Sequence, residues 1–96
     1  MANDVTYESF IWNDEKSHEN VRRHGLNFVD ASQVFFDPNR VILTDALHSH
    51  GEERYFCIGK LGKKVVTVRF TYRGDKIRII GAGFWRRGRK LYEEKK

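Results

Sequence analysis

Two segments in the first third of the chain have the hydrophobic spacing and the end signals of helices. The first follows Asn13, a good N-cap residue, has acidic residues in its first turn and basic residues in its last, and stops before Gly25. The helix dipole favours this order of charges, and glycine suits the left-handed residue that follows a helix. We therefore predict a helix over Asp14–His24.

The second segment is shorter and is amphipathic. Asn27 offers another N-cap, and Phe28, Ala31 and Phe35 fall on one helical face. Asp37-Pro38-Asn39 ends the segment, because proline disfavours the helical conformation in the residue before it and has no amide hydrogen to donate. The pattern predicts a short second helix.

Alternating hydrophobic and polar residues predict the strands. The last three are joined by short turns that contain glycine, which predicts an antiparallel meander, and the polar residues Asp45–Glu52 are read as an exposed loop. A final helix is predicted over Phe84–Glu94. The predicted strands are Tyr7–Trp12, Arg40–Leu43, Arg54–Ile58, Lys64–Tyr72 and Lys76–Ala82.

These elements predict an α+β fold in one domain, residues 1–96, with two N-terminal helices on one face of a twisted, mainly antiparallel sheet and a C-terminal helix. Successive side chains of a strand point to opposite faces. If the more apolar faces lie under the helices, Arg69 and Arg78 emerge together on the open face, and Arg78 shares its face with Ile80 and Ala82. Asp75 is the one acidic residue close to either arginine in sequence.

Charge narrows the classes of partner. The 96 residues include 18 basic and 13 acidic ones, a net charge of +5, which favours nucleic acid, an anionic membrane surface or an acidic protein. Cys57 is alone, so no intramolecular disulfide is expected. The chain shows no signal peptide and no apolar run of the roughly 20 residues that cross a bilayer. We expect a cytoplasmic protein without a membrane segment.

The C-terminal segment favours nucleic acid among these partners. Aromatic Trp85 and Tyr92 alternate there with basic residues, a composition suited to phosphates and flat bases. The alternative is a solvated basic helix with Trp85 half in the core. Cys57 is interpreted as a small buried residue rather than a nucleophile. The basic residues of the segment are Arg86, Arg87, Arg89 and Lys90.

RNA lying across this surface could be cleaved without a metal by in-line attack of a ribose 2′-hydroxyl on the adjacent phosphorus. Arg69 and Arg78 would stabilise the phosphorane, and Trp85 or Tyr92 would stack on a base. The general base stays open among four residues. His48-Ser49-His50 with Glu52 and Glu53 matches no strong metal motif and is interpreted as a polar loop. The four candidate bases are His24, His48, His50 and Glu93.

Several fixed spacings together resemble the N-terminal signature of the BrnT toxins. They are Phe10-x-Trp12-x-Asp14-x-Lys16, Asn20-x-x-x-His24-Gly25-x-x-Phe28-x-x-Ala31, and Phe35 with Asp37-Pro38. Later blocks, Gly51–Arg54, Ile58-Gly59, Tyr72-Arg73, Ile77–Ile80 and Tyr92-Glu93, are similar to the family's remaining blocks in the same order. The resemblance covers about residues 10–93.

The resemblance implies a type II toxin with a RelE-like ribonuclease fold that cleaves RNA in the bacterial cytoplasm and inhibits growth or translation. It also implies a BrnA-like DNA-binding antitoxin, through which alone the toxin meets DNA. From the basic and aromatic surface described above, the catalytic residues are predicted to be Arg69, Arg78, Trp85 and Arg86, with no cofactor or metal. The RNA-binding residues are predicted to be Arg54, Arg87, Arg89, Lys90 and Tyr92.

The chain departs from the family pattern at two positions. Many similar chains have arginine where this one has Gly83 and glutamate where it has Gly88. One interpretation is that Trp85 and the neighbouring arginines have taken over RNA contact in a rearranged site. The other is weak or absent nuclease activity. A non-catalytic module that binds nucleic acid or the antitoxin is therefore the alternative function, and a structural protein that docks on an acidic partner is a third.

Overall fold

A computed structural model describes residues 3–95 as three helices and one mixed sheet of six strands. The helices are α1 (Asp14–His24), α2 (Phe28–Ser32) and α3 (Arg86–Lys95), and the strands are β1 (Asp4–Tyr7), β2 (Phe10–Asn13), β3 (Val41–Thr44), β4 (Tyr55–Leu61), β5 (Lys64–Arg73) and β6 (Lys76–Gly83). In the sheet order β1-β2-β6-β5-β4-β3, all neighbours are antiparallel except β2 and β6, which are parallel. The α+β class is confirmed.

Both N-terminal helices begin at the predicted caps. The amide of Lys16 donates to Asn13 Oδ1 at 3.1 Å, and the amide of Asp30 donates to Asn27 Oδ1 at 2.7 Å. Gly25 ends α1 in the left-handed region at φ 70°. Helix α2 tightens into a 3₁₀ turn over Gln33–Phe36. Because a 3₁₀ turn has fewer residues per turn than an α-helix, the residue that points into the core is Val34, which is fully buried, while Phe35 is half-buried.

The single strand predicted over Tyr7–Trp12 is wrong, because this stretch spans two strands. β1 and β2 form a hairpin in which Asp4 pairs with Asn13 and Tyr7 with Phe10. Glu8 makes the turn at φ 57°, a left-handed conformation uncommon outside glycine, asparagine and aspartate. The sequence therefore gives no indication that the chain turns at this residue.

Strand β4 is longer than predicted, because Gly59 is part of the strand and not of a turn. A Cβ at Gly59 would lie 2.8 Å from the carbonyl oxygen of Val34, so the glycine lets the 3₁₀ turn approach the sheet. The chain reverses three residues later, at Gly62, where φ is 63°. The meander of β4, β5 and β6 is confirmed with this shorter turn.

Each face of the sheet has its own apolar core. Val66, Val68 and Phe70 of β5 pack with Phe28 and other residues of the N-terminal helices. On the opposite face, Val65 and Ile58 pack with Tyr92 of α3. The face predicted to be open is therefore partly covered by the C-terminal helix.

A bulge in β6 corrects the predicted faces. Arg69 pairs with Gly81 and Phe70 with Ile79, which leaves Ile80 between them without a partner. Beyond the bulge the alternation is reversed, and Ala82 lies opposite Val68 in the core under the N-terminal helices. The prediction that Ala82 shares the face of Arg78 is wrong.

Within residues 3–95, none of the three helices combines the length and the apolar character that crossing a membrane requires.

Candidate active site

A cleft of about 560 Å³ lies beside α3 and the 3₁₀ turn at Ala46–His48, with β5 contributing to its wall. Much of the lining is apolar, including Leu43, Phe56 and Leu91. Polar side chains and an indole also line the cleft, and the six of them on which the proposed site depends come from three separate parts of the chain. These residues are Asp45, His48, Thr67, Arg69, Trp85 and Arg87.

Asp45 connects the two polar side chains most suited to chemistry. Its carboxylate is 3 % exposed, and its two oxygens lie 2.9 and 3.0 Å from His48 Nδ1. One of them also lies 3.4 Å from Arg69 Nε. A carboxylate oxygen accepts hydrogen bonds, so His48 Nδ1 is the donor of this pair, and Nε2 is the ring nitrogen that Asp45 does not engage. The arrangement puts an imidazole, oriented by a buried carboxylate, beside a guanidinium.

The loop that carries His48 is closed by hydrogen bonds at its base. The hydroxyl of Ser49 donates to the carbonyl of Asp45 at 2.7 Å and accepts from the amide of Arg54 at 2.9 Å. The amide of Asp45 donates to the carbonyl of Arg54 at 2.7 Å. Asp45 was expected in an exposed loop, and its burial corrects that expectation, because its side chain turns towards Arg69 of β5.

Arg69 has its guanidinium carbon 5.8 Å from the centre of the Phe56 ring, in cation–π range, and its side chain is 31 % exposed. Thr67 stands two residues earlier on the same face of β5. Its hydroxyl is buried and has no hydrogen-bond partner within residues 3–95. Both residues line the cleft, and Arg69 brings a partly exposed cation to it.

Trp85 lies directly against Gly83. A Cβ at Gly83 would stand 2.7 Å from Trp85 Cζ2 and 2.8 Å from Cε2, so the ring occupies the space that a side chain would need. The ring also makes an edge-to-face contact with His24, with centroids 5.5 Å apart. The indole is 39 % exposed and lines the cleft. It is a flat surface that a base can stack on.

Helix α3 approaches the sheet at Gly88. A Cβ there would clash with the hydroxyl of Thr67 and would lie 3.3 Å from its Cβ. The chain departs from the family pattern at these two glycines, and both of them make room for a neighbouring group. Gly83 makes room for the indole of Trp85, and Gly88 lets α3 pack closely on the sheet.

Arg78 belongs to a different concavity, which we call the basic groove. It is lined by side chains of α1, β5 and β6 and by the segment before β4. Arg78 makes a two-pronged contact with Asp4, with distances of 3.1 and 3.2 Å, and the hydrogen bonds from Arg78 lower the pKa of Asp4. The groove is lined by Asn13, Lys16, Glu52, Arg54, Arg73, Arg78, Ile79 and Ile80.

The two arginines predicted to act together thus share a face of the sheet but line separate sites. Thr71 lies opposite Arg78 in the sheet and two residues from Arg69. Asp75 is the one acidic residue near either arginine in sequence, but in the fold Asp45 pairs with Arg69 and Asp4 with Arg78. Both carboxylates are far away in sequence and reach the arginines only through the fold.

The remaining predicted residues have three kinds of position. Arg87 lines the cleft and Arg54 the basic groove, whereas the exposed residues Arg86, Arg89 and Lys90 of α3 line neither. Tyr92 is 2 % exposed, so its ring offers no surface to a base.

Tyr92 instead attaches α3 to the loop before β3. Its hydroxyl donates to Asp37 Oδ2 at 2.6 Å, and this bond raises the pKa of Tyr92 to about 12. Burial acts to raise the pKa of Asp37, but hydrogen bonds from Tyr92 and from the amides of Asn39 and Lys60 outweigh it and lower that pKa. We assign Tyr92 a packing role.

Cys57 is fully buried in the core under the N-terminal helices, and burial raises the pKa of its thiol to about 12. Its interpretation as a buried structural residue is confirmed. Within residues 3–95, His, Cys, Asp and Glu side chains form no group of three or more arranged to hold a metal ion.

The fold and the cleft define a small basic α+β protein with a histidine, an arginine and an exposed indole in one concavity. The family described as "Ribonuclease toxin, BrnT, of type II toxin-antitoxin system" matches residues 12–88. The chain belongs to this family, so the resemblance is confirmed, and the match includes Asp45, His48, Thr67, Arg69, Trp85 and Arg87 of the cleft. Membership implies a ribonuclease toxin with an antitoxin partner and an RNA target. No curated protein matches the chain significantly.

Proposed function

We propose that this protein is a metal-independent endoribonuclease with a RelE-like fold, that its active site is the cleft, and that it inhibits bacterial growth or translation from the cytoplasm. A BrnA-like DNA-binding antitoxin is the partner that restrains it, and the toxin meets DNA only through that partner. The observation that carries the proposal is the His48–Asp45 pair beside Arg69.

His48 is the general base of the proposed reaction. Its Nε2 removes the proton of a ribose 2′-hydroxyl, the 2′-oxygen forms a bond to the adjacent phosphorus, and the bond from phosphorus to the 5′-oxygen breaks. The leaving 5′-oxygen takes up a proton from the imidazolium or from water. The products are a 2′,3′-cyclic phosphate and a 5′-hydroxyl, so no oxidant or other reactant is needed. Of the four bases left open by the sequence, His48 is the one that lines the cleft.

Two arginines of the cleft supply the positive charge. Arg69 and Arg87 stabilise the charge that builds up on the phosphorane oxygens, in a concavity whose apolar walls strengthen electrostatic interactions. Asp45 holds His48 in the required tautomer and balances Arg69 when no RNA is bound. Trp85 stacks on a base and keeps the strand in line.

The test is cleavage of RNA by purified protein in EDTA. Wild-type protein should release fragments, and Arg69→Gln should release them at least 100-fold more slowly with an unchanged far-UV spectrum, because stabilisation of the phosphorane is lost. Arg22→Gln, on the exposed surface of α1, is the matched control. Cleavage that stops in EDTA, or an Arg69→Gln rate equal to that of the control, would contradict the proposed mechanism.

Growth separates a toxin from a module that only binds. Induction of the gene alone in bacteria should arrest growth, co-expression with the antitoxin should restore it, and Arg69→Gln should not arrest it. A protein that binds RNA in vitro but leaves growth unaffected at the same expression level would favour the non-catalytic module.

A further inference from the structure

The basic groove holds more positive charge than its own carboxylates balance. Four cationic side chains line it, Lys16, Arg54, Arg73 and Arg78, against the single carboxylate of Glu52. Asp4, which pairs with Arg78, adds a second carboxylate. An excess of two positive charges remains in a concavity of about 210 Å³. A concave cationic surface concentrates anions.

The arginines around Glu52 are incompletely satisfied. Arg54 and Arg73 lie 3.5 and 3.3 Å from different oxygens of this one carboxylate, and Arg54 makes no hydrogen bond to it. The Nε of Arg54 is buried and has no partner within residues 3–95. A buried donor without a partner is uncommon in proteins, which marks this guanidinium as incompletely satisfied. Its side chain is 34 % exposed, so a phosphate oxygen can reach the terminal nitrogens although Nε itself is covered.

The basic groove and the cleft are close enough together for one RNA strand to occupy both. Arg69 of the cleft and Arg78 of the groove are on the same sheet face, separated by two residues along β5 and one strand spacing. Strand geometry puts their Cα atoms roughly 8 Å apart. An RNA strand with one phosphate at Arg69 can therefore place a neighbouring phosphate in the basic groove.

We propose that the basic groove is a second phosphate-binding site, which holds the backbone of a single-stranded RNA beside the nucleotide at the cleft. The inference rests on the proposed function for the occupant of the cleft. Binding in the groove should not depend on the RNA sequence, because the cations that line it are suited to contact phosphates rather than bases. It selects substrates long enough to reach both sites, so a dinucleotide confined to the cleft gains nothing from it.

The test is binding of an octanucleotide made uncleavable by 2′-O-methyl groups. Arg73→Gln, at an exposed residue outside the cleft, should weaken binding roughly fivefold at low salt and reduce the slope of log affinity against log salt by about 0.7. Glu52→Gln should strengthen binding, because a repelling charge is removed. Arg22→Gln is the control for loss of one positive charge, and binding of a dinucleotide should be the same in all variants.

Three results would overturn the second site. The first is equal binding by Arg73→Gln and Arg22→Gln. The second is weaker binding by Glu52→Gln, which would mean that the groove is only an internal ion network. The third is weakening of the antitoxin complex alone, which would assign the surface to the antitoxin. Binding of uncleavable RNA does not depend on catalysis. If the protein fails to cut RNA, but Arg73→Gln weakens binding and Glu52→Gln strengthens it, the proposed nuclease activity is refuted and the second phosphate site is supported.

Discussion

The indole of Trp85 lies against the α-carbon of Gly83, in the space where a side chain at position 83 would begin. The ring is rigid, so even a methyl group at 83 must displace it. We predict that Trp85→Ala weakens binding of uncleavable RNA by about 1–3 kcal/mol, the loss expected for one stacked base. Gly83→Ala should cause most of the same loss, because it displaces the indole. Fluorescence anisotropy of a labelled RNA measures both.

Gly81→Ala is the matched control, because it lies in the same strand and has open space around its Cβ position. It should bind RNA as the wild type does. The double variant Gly83→Ala/Trp85→Ala should be no worse than Trp85→Ala alone. Additive losses would show that Gly83 acts by some route other than the position of the indole.

Gly88 and Thr67 offer a stability test of how α3 is seated. Alanine normally stabilises a helix interior by about 1 kcal/mol relative to glycine, but here its Cβ meets the Thr67 hydroxyl. Overpacking costs about 1–3 kcal/mol, so Gly88→Ala should lower the free energy of unfolding by about 1 kcal/mol. In a Thr67→Ala background the same change should raise it. Urea denaturation measures the four proteins, and an equal effect in both backgrounds would refute the contact.

Tyr92→Phe tests the attachment of α3 at Asp37. Loss of a hydrogen bond to a carboxylate should reduce stability by about 2 kcal/mol at neutral pH and leave RNA affinity unchanged, because the ring is buried. A large loss of RNA binding with intact stability would restore the RNA-binding role predicted from the sequence.

The same pair predicts a pH dependence. The folded pKa of Asp37 is lowered, so its contribution is present above its ordinary pKa of 3.8 and is lost as pH falls through the folded value. The pKa of Tyr92 is raised to about 12, so its contribution is present below pH 10.0 and is lost as pH rises towards 12. Tyr92→Phe should flatten the stability profile at both ends, as followed by thermal melts across pH. An unchanged profile would contradict the bond.

Local signals were enough for the elements that depend on them. Asn13, Asn27 and Gly25 set the helix ends because caps act within one turn. The N-terminal hairpin was missed because Glu8 is not a residue that marks a left-handed turn. The bulge at Ile80 of β6 was missed because it follows from pairing with β5, which no single strand reveals.

The candidate site was predictable in composition and not in arrangement. Arg69, Trp85 and Arg87 were identified and do meet in the cleft. Asp45 was overlooked, although its spacing of three residues from His48 within a short turn was the available signal. Arg78 could not be separated from Arg69 by alternation, because their carboxylate partners come from distant parts of the chain.

Asp45 should act on the reaction through His48. Asp45→Asn keeps the size of the side chain but removes the charge that fixes the imidazole, so we expect cleavage at least 10-fold slower with RNA affinity retained. The rate of the double variant Asp45→Asn/His48→Gln should equal that of His48→Gln, because residues that act as a unit are not additive. Single-turnover rates measure this, and independent, multiplying losses would exclude a positioning role.

The central claim is that His48 starts attack by a 2′-hydroxyl, and single-turnover cleavage of one RNA in EDTA tests it most directly. The wild type should yield a 2′,3′-cyclic phosphate, a single 2′-deoxy substitution at the cut nucleotide should abolish cleavage there, and His48→Gln should slow it by about 10²–10⁴-fold while binding RNA normally. Cleavage of the 2′-deoxy strand at the same place, or an unchanged rate in His48→Gln, would contradict the account.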